Sequence, residues 1–217
     1  MVKLSASTHP AKDNLIEYVR LLEKSGTDFI HCDIMDGIFV EDKTFNYERV
    51  AQINSITTIV LDVHLMVENA HKKIKKYINA GSNILTVHFE AFKSEKLLIK
   101  TLNKIQKAGL IAGLSIKPKT KIEEVKHLLK YVDLVLIMSV EPGKSGQKFK
   151  KASLDKIKLL KEEIKNQKLF ILIEVDGGVN LDNNKDIIEA GADIVVVGNF
   201  LFKALDKKQT IEKIKVG

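Results

Sequence analysis

Two histidines and two aspartates stand at the ends of three short apolar runs: His31 and Asp33 in HCDIMDG, His64 in DVHLM, and Asp176 in EVDGG. Side chains alternate faces along an extended strand, so His31, Asp33 and Met35 share one face and Cys32 takes the other. His64 and Met66 share a face in the same way. Brought together, two imidazoles and two carboxylates make a mixed nitrogen and oxygen set suited to one divalent ion (Zn²⁺, Mn²⁺, Fe²⁺ or Co²⁺), with room left for substrate oxygens. Any one of the four alone is better read as a satisfied core histidine or a turn-capping aspartate. Four at three strand ends are not.

Two further groups fall at strand ends. Apart from Met1, the methionines are Met35, Met66 and Met138. They either plug the top of a core or surround a site where soft thioethers accommodate a delocalised anion without giving it a proton. Glycines gather at Gly143-Lys144-Ser145-Gly146, at Gly177-Gly178 and at Gly198-Asn199. Glycine lets backbone N–H groups approach a phosphate closely, and a helix N-terminus adds a favourable dipole. One such turn is weak evidence, but three at neighbouring strand ends favour phosphate binding.

Eight strand–helix units are needed to position these groups, and the chain reads as eight. Strands are predicted at 2–7, 28–34, 58–65, 83–88, 111–116, 133–139, 170–175 and 193–198, each rich in Val, Ile and Leu. Helical periodicity falls at 11–25, 46–54, 69–80, 95–108, 121–130, 152–166, 182–190 and 200–214. Several helices run into glycine before the next strand, as at Gly26, Gly81, Gly109 and Gly191. Strict alternation in a domain-sized chain predicts a single (β/α)₈ TIM barrel over 1–217, in which chemistry sits at the C-terminal ends of the strands. An open doubly wound sheet would carry an early glycine-rich phosphate loop, and no GxGxxG follows the first strand.

Composition narrows the function. The 217 residues are 45% hydrophobic and 29% charged, a balance that disfavours disorder. The net charge of +7 comes from lysines spaced along helices among apolar residues, as in HKKIKK (71–76). These are solvated outer faces. With no tryptophan and no aromatics interleaved with the basic residues, a nucleic-acid partner is not expected. No run reaches membrane-spanning length and MVKLSAST lacks a signal-peptide core, so neither a membrane nor secretion is expected. The one cysteine, Cys32, excludes an internal disulfide and suits a reducing cytoplasm. A rigid barrel of this size is expected to form a homo-oligomer.

IHCDIMDGIFV (30–40), LDVHLMVEN (61–69), LTVHFEA (85–91), VDLVLIMSVEPGKSGQKF (132–149) and IEVDGGVN (173–180) closely resemble the ribulose-phosphate 3-epimerase family. The likeness runs from about the first strand to the end. It implies a metal-dependent isomerase of the pentose phosphate pathway with a small phosphorylated ketose as substrate. His31, Asp33, His64 and Asp176 match the family's metal ligands, and Asp33 and Asp176 its acid/base pair. His64 is also carried over as a substrate contact. Met35, Met66 and Met138 match the methionines over the substrate. Gly143 to Gly146, Gly177, Gly178, Gly198 and Asn199 match its phosphate contacts. The chain departs from the family at strand one, where Ala6-Ser7-Thr8-His9-Pro10 leaves Ser7 as the equivalent of the substrate-binding serine. It departs again at Lys144 and Ser145, where Lys144 either adds a charge on the phosphate or points into solvent.

The implied chemistry inverts the carbon beside a ketone. One carboxylate removes the C3 proton, an enediolate forms, and the other carboxyl returns a proton to the opposite face, with a divalent metal as Lewis acid. The altered strand one keeps a six-carbon substrate, D-allulose 6-phosphate, in view. A different class of enzyme, a Schiff-base aldolase, would use Lys117 after strand five. His88 and Glu174 have inward parity and are read as supports for the ligands or as satisfied core residues. Asp36-Gly37 and Asp182 are read as turn and cap residues.

Overall fold

The computed structural model describes the backbone of all 217 residues and the side chains of all but Lys12 and Asp13. Its eight strands are β1 (Lys3–Ser7), β2 (Phe29–Met35), β3 (Val60–Met66), β4 (Ile84–His88), β5 (Ile111–Ile116), β6 (Leu134–Met138), β7 (Leu172–Asp176) and β8 (Ile194–Val197). They pair in sequence order, all parallel, and β8 closes on β1. Helices alternate with them: α1 (Leu15–Lys24), α2 (Tyr47–Asn54), α3 (Ala70–Asn79), α4 (Glu95–Lys107), α5 (Ile122–Val125), α6 (Ala152–Asn166), α7 (Asn184–Ala190), α8 (Asn199–Lys203) and α9 (Lys207–Val216). Every predicted strand is present to within two residues at either end.

Three helical segments differ from the expected ones. A 3₁₀ turn, His9–Asn14, with Pro10 in its first turn, precedes α1. The segment expected as a helix over 121–130 is one α turn followed by a 3₁₀ stretch, Lys126–Tyr131. Ile122, Val125, Leu128 and Leu129 of this segment are buried. The last helix divides at 204–206. Asp206 caps α9 by accepting from the Gln209 N–H at 2.9 Å, and Lys207 Nζ donates to the carbonyls of Phe202 and Ala204. Asp182 is not a cap, since Asn183 takes that position before α7. Asp36 does hold its turn, with Oδ1 accepting from the N–H groups of Ile38 and Phe39.

Strand parity divides the core. Outward residues such as Ile30, Cys32, Ile34, Leu61, Val63 and Leu65 are buried against the helices. Inside the barrel a polar sector on β1 to β5 holds Ser5, His31, Asp33, Asp62, His64, Thr86, His88 and Ser115, all buried. Ile84, Leu134, Leu136, Met138 and Ile194 form an apolar cluster, and the buried Glu174 stands between Leu136 and Ile194. Such a concentration of polar groups in a small barrel gives up packing energy for a site. Above them Met35, Val40 and Met66 pack together with Phe39 from the β2–α2 loop, roofing part of the mouth.

Space inside is tight. A Cβ on Gly113 would run into the Thr86 side chain on the neighbouring strand. Gly113→Ala is expected to cost about 1–3 kcal/mol through overpacking, read as a lower midpoint in chemical denaturation; an unchanged midpoint would show that the interior can relax around a methyl group.

Candidate metal centre and active site

The β2–β3 register assembles the centre. It sets His31 beside Asp62, Asp33 beside His64 and Met35 beside Met66. β1 brings Ser7 beside His31, and β7 brings Asp176 beside Met138 on β6 and Val196 on β8. Ligand atoms of His31, Asp33, His64 and Asp176 all lie within 4.8 Å of one another. The four residues singled out in the sequence therefore do converge.

Three atoms in this cluster are buried and have no hydrogen-bond partner: His31 Nε2, His64 Nδ1 and Asp33 Oδ1. His31 Nε2 stands 3.2 Å from Asp33 Oδ1, and His64 Nδ1 stands 3.4 Å from the same oxygen. The opposite ring nitrogens are engaged. His31 Nδ1 meets Asp62 Oδ2 at 2.6 Å, and His64 Nε2 meets His88 Nε2 at 2.9 Å. Each imidazole thus has one edge held by the protein and the other aimed at a shared point. Unpaired buried polar atoms are costly unless something completes them. Two nitrogens and two carboxylates at one point fit a divalent cation of the Zn²⁺, Mn²⁺, Fe²⁺ or Co²⁺ type.

The electrostatics separate the two aspartates. Burial alone would raise the Asp33 carboxyl, but the imidazoles of His31 and then His64 outweigh it and hold Asp33 well below the usual carboxylate range. Ser7 Oγ donates to Asp33 Oδ2 at 2.9 Å and further favours the ionised form. Asp176 goes the other way: burial, and then the charge of Asp33, push it up to about 6. The two carboxyls are thus driven apart, Asp33 down and Asp176 up. His31 loses by burial, yet Asp62 and Asp33 hold its imidazolium well above the ordinary range. A metal at Nε2 would displace that proton.

A cavity of about 1090 Å³ opens above the cluster, lined by Ser7, Asp33, Met35, Met66, Met138 and Asp176. Its far side is formed by Gly143 to Gly146, Gly177, Gly178, Gly198 and Asn199. All three methionines are at most 5% exposed and line this cavity. His64 does not; like His31 it is sealed beneath the floor with no exposure. The glycine loops are locked together. Gly178 has φ +67°, and a Cβ there would lie 2.6 Å from the carbonyl oxygen of Gln147 and against the Phe149 amide. Asn199 Nδ2 donates to Ser145 Oγ at 3.3 Å, tying the β6 loop to the start of α8. Lys144 lies at the cavity rim. Its ammonium pairs with Glu41 Oε2 at 2.9 Å across the cavity rim, both groups well exposed.

Sequence reading missed Asp62 and Glu90. Asp62 is two residues before His64 and so faces inward with it. That parity was the available signal. Besides His31 it accepts from Ser5 Oγ at 2.7 Å. Glu174 lies against it with both oxygens unpartnered. Glu90, in a 3₁₀ turn after β4, is hydrogen-bonded to His88 Nδ1 at 3.1 Å. Burial pulls His88 down to about 4, so it is neutral at pH 7. Lys117 points elsewhere, its Nζ 4.2 Å from the centre of the Phe39 ring.

Burial, and then the charge of Asp62, drive Glu174 well above its ordinary 4.5. Its folded form holds a proton that the unfolded chain releases above about that pH. The associated stability is present below pH 4.5 and is lost as pH rises toward the folded value. Glu174→Gln should therefore melt higher than wild type at pH 8, both metal-free, with the difference shrinking toward pH 4.5. A difference independent of pH would mean that Glu174 does not titrate differently on folding.

Comparison with known proteins agrees with this architecture. Residues 3–202 match the Ribulose-phosphate 3 epimerase family. The chain is 39% identical over 198 residues to the ribulose-phosphate 3-epimerase of Bacillus subtilis, covering 91% of this chain and 90% of that one. It is 38% identical over 199 residues to that of Aquifex aeolicus, covering 92% and 88%. Among solved structures, 3-hexulose-6-phosphate synthase from Salmonella typhimurium superposes with a TM-score of 0.70 at 15% identity, covering 99% of this chain and 97% of that one. At that identity the likeness concerns the barrel alone. Matched over nearly its whole length and by several relatives, the chain belongs to the ribulose-phosphate 3-epimerase family.

Proposed function

We propose that this chain interconverts D-ribulose 5-phosphate and D-xylulose 5-phosphate by proton transfer at C3. The observation that carries this reading is the convergence of Asp33 and Asp176 with His31 and His64, their ligand atoms within 4.8 Å of one another, at the floor of a cavity whose other end is lined by three glycine-bearing loops. The names of the relatives above support the substrate.

The glycine loops at β6, β7 and β8 hold the phosphate with backbone N–H groups, which places the sugar carbons over the floor. Met35, Met66 and Met138 cover the planar intermediate with apolar, polarisable surface and offer it no proton. Asp33 removes the C3 proton in one direction, and Asp176 delivers a proton to the opposite face. In the reverse direction the roles exchange. Ser7 holds the Asp33 carboxylate in place through its 2.9 Å hydrogen bond. His31, Asp33, His64 and Asp176 would hold a divalent metal, which would supply Lewis acidity to stabilise the negative charge of the enediolate. Acid–base help of this kind is worth roughly 10²–10⁴-fold, so fixed electrostatics contribute much of the remainder.

A six-carbon ketose phosphate is the second reading, favoured by one observation. His9 and Pro10, from the segment that departs from the family, line the same cavity as the sugar site. The aldolase reading through Lys117 has no such support, because its ammonium sits on the Phe39 ring. The expected setting is a reducing cytoplasm, with Cys32 buried and unpaired, and a homo-oligomer. Among the described residues, no helix is long and apolar enough to cross a membrane.

Purified protein should turn over D-ribulose 5-phosphate, lose activity to a chelator and regain it with Mn²⁺, Zn²⁺, Fe²⁺ or Co²⁺. Asp33→Asn and Asp176→Asn should each abolish turnover with circular dichroism unchanged, whereas a fully active Asp176→Asn enzyme would end the two-base scheme. Preference for D-allulose 6-phosphate would install the second reading. Gly178→Ala, whose Cβ would push the β7 loop off the Gln147 carbonyl, should raise KM for the phosphorylated substrate roughly tenfold, about 1.4 kcal/mol of lost binding. An unchanged KM would remove the β7 loop from the phosphate site.

A further inference from the structure

His64 is sealed in the floor, and its two ring nitrogens face different worlds. Nδ1 is unpartnered and faces Asp33, while Nε2 meets His88 Nε2 at 2.9 Å. His88 is itself fully buried, and its Nδ1 meets Glu90 Oε2 at 3.1 Å. The other Glu90 oxygen, Oε1, accepts from the Lys117 N–H at 2.7 Å and from the Thr120 hydroxyl. The segment bearing those donors is fixed from α6, where Lys156 Nζ donates to the carbonyls of Lys117, Pro118 and Thr120 at 2.7–3.0 Å. The line His64, His88, Glu90 thus runs from the metal cluster to a pinned loop with every nitrogen along it engaged except the one facing the cluster.

Neutral imidazole carries one N–H and one lone pair, so the two contacts of each ring cannot be chosen independently. A carboxylate only accepts. Glu90 therefore requires the His88 proton to sit on Nδ1, which leaves His88 Nε2 as an acceptor. That acceptor in turn requires the His64 proton to sit on Nε2 and leaves a lone pair on Nδ1, the atom facing Asp33. We propose that Glu90, acting through His88, is a positioning residue that sets the tautomer of His64 and thereby makes Nδ1 available to a divalent metal. This rests on the reading of His64 as a metal ligand. It adds Glu90, which touches neither metal nor substrate.

The same logic gives an inverted variant. In Glu90→Gln the Lys117 N–H and Thr120 hydroxyl hold the amide oxygen where Oε1 now lies, so the amide NH₂ faces His88 Nδ1. The His88 proton then moves to Nε2, and the His64 proton to Nδ1, which blocks the metal. Glu90→Ala, by contrast, leaves both tautomers open.

The test is Mn²⁺ affinity by calorimetry, together with long-range ¹H–¹⁵N spectra of the histidine side chains in metal-free protein at pH 8. Glu90→Gln should bind Mn²⁺ roughly 10–100-fold more weakly than wild type, and its His64 proton should move from Nε2 to Nδ1. Glu90→Ala should lose less affinity than Glu90→Gln. A purely structural role for Glu90 predicts the reverse order, since Gln preserves shape and Ala does not. Wild-type affinity in Glu90→Gln, a greater loss in Glu90→Ala, or an unmoved His64 proton would each overturn the proposal. Should wild type bind no Mn²⁺, the metal-ligand reading fails by itself, and the His64 tautomer in the two proteins still decides the relay.

Discussion

The pairing of β2 with β3 is the constraint on which the site depends. Seven residues of each strand run side by side, and three successive inward pairs put His31 against Asp62, Asp33 against His64 and Met35 against Met66. Because side chains alternate with a period of two, a slip of one residue would turn the histidines and aspartates of one strand into the helix layer and bring its apolar residues inside. The outward partners guard against this. Ile30, Cys32, Ile34, Leu61, Val63 and Leu65 are each almost wholly buried under the helices. The apolar face therefore fixes the register, and the polar face uses it. This is also why so many titratable groups can be carried inside one barrel: the energy that holds them there comes from a different layer.

Within the polar sector, order comes from pairing each group unequally. Both imidazoles are gripped on one nitrogen and bare on the other. The aspartates are likewise unequal, one ionised between imidazoles and the other pushed toward neutrality by burial and by its neighbour. On the proposed reading, this asymmetry would bias which carboxyl holds the proton. The apolar cluster that includes Leu134, Leu136 and Ile194, on the strands flanking β7, keeps the dielectric low and these differences large.

Much of this was legible in the residues themselves. Alternating apolar runs and glycine-terminated helices specify the barrel because those signals are local, and the strand-end positions of His31, Asp33, His64 and Asp176 follow from parity alone. What could not be read is what depends on distance across the barrel. Asp62 sits two positions before His64, yet its partner is His31 on the next strand. Glu90 looks like a loop residue in LTVHFEA, and only the fold brings His88, Lys117 and Thr120 to it. Lys144 illustrates the opposite limit. Its position in a glycine loop leaves a phosphate contact and solvent both open, and only the fold shows that the β2–α2 loop supplies Glu41 nearby. Helix ends were misjudged where a side chain, such as that of Asp206, starts a new helix inside a continuous apolar pattern.

The depth of the two histidines sets an order of events. His31 and His64 have no exposure, and Asp33, at 6%, reaches solvent only through the cavity it lines. On the proposed reading, an ion held by them would arrive through the space proposed for the sugar phosphate, so metal would load before substrate. A seated substrate would then act as a stopper. The enzyme should keep its ion longest when it is busiest and surrender it most readily when starved.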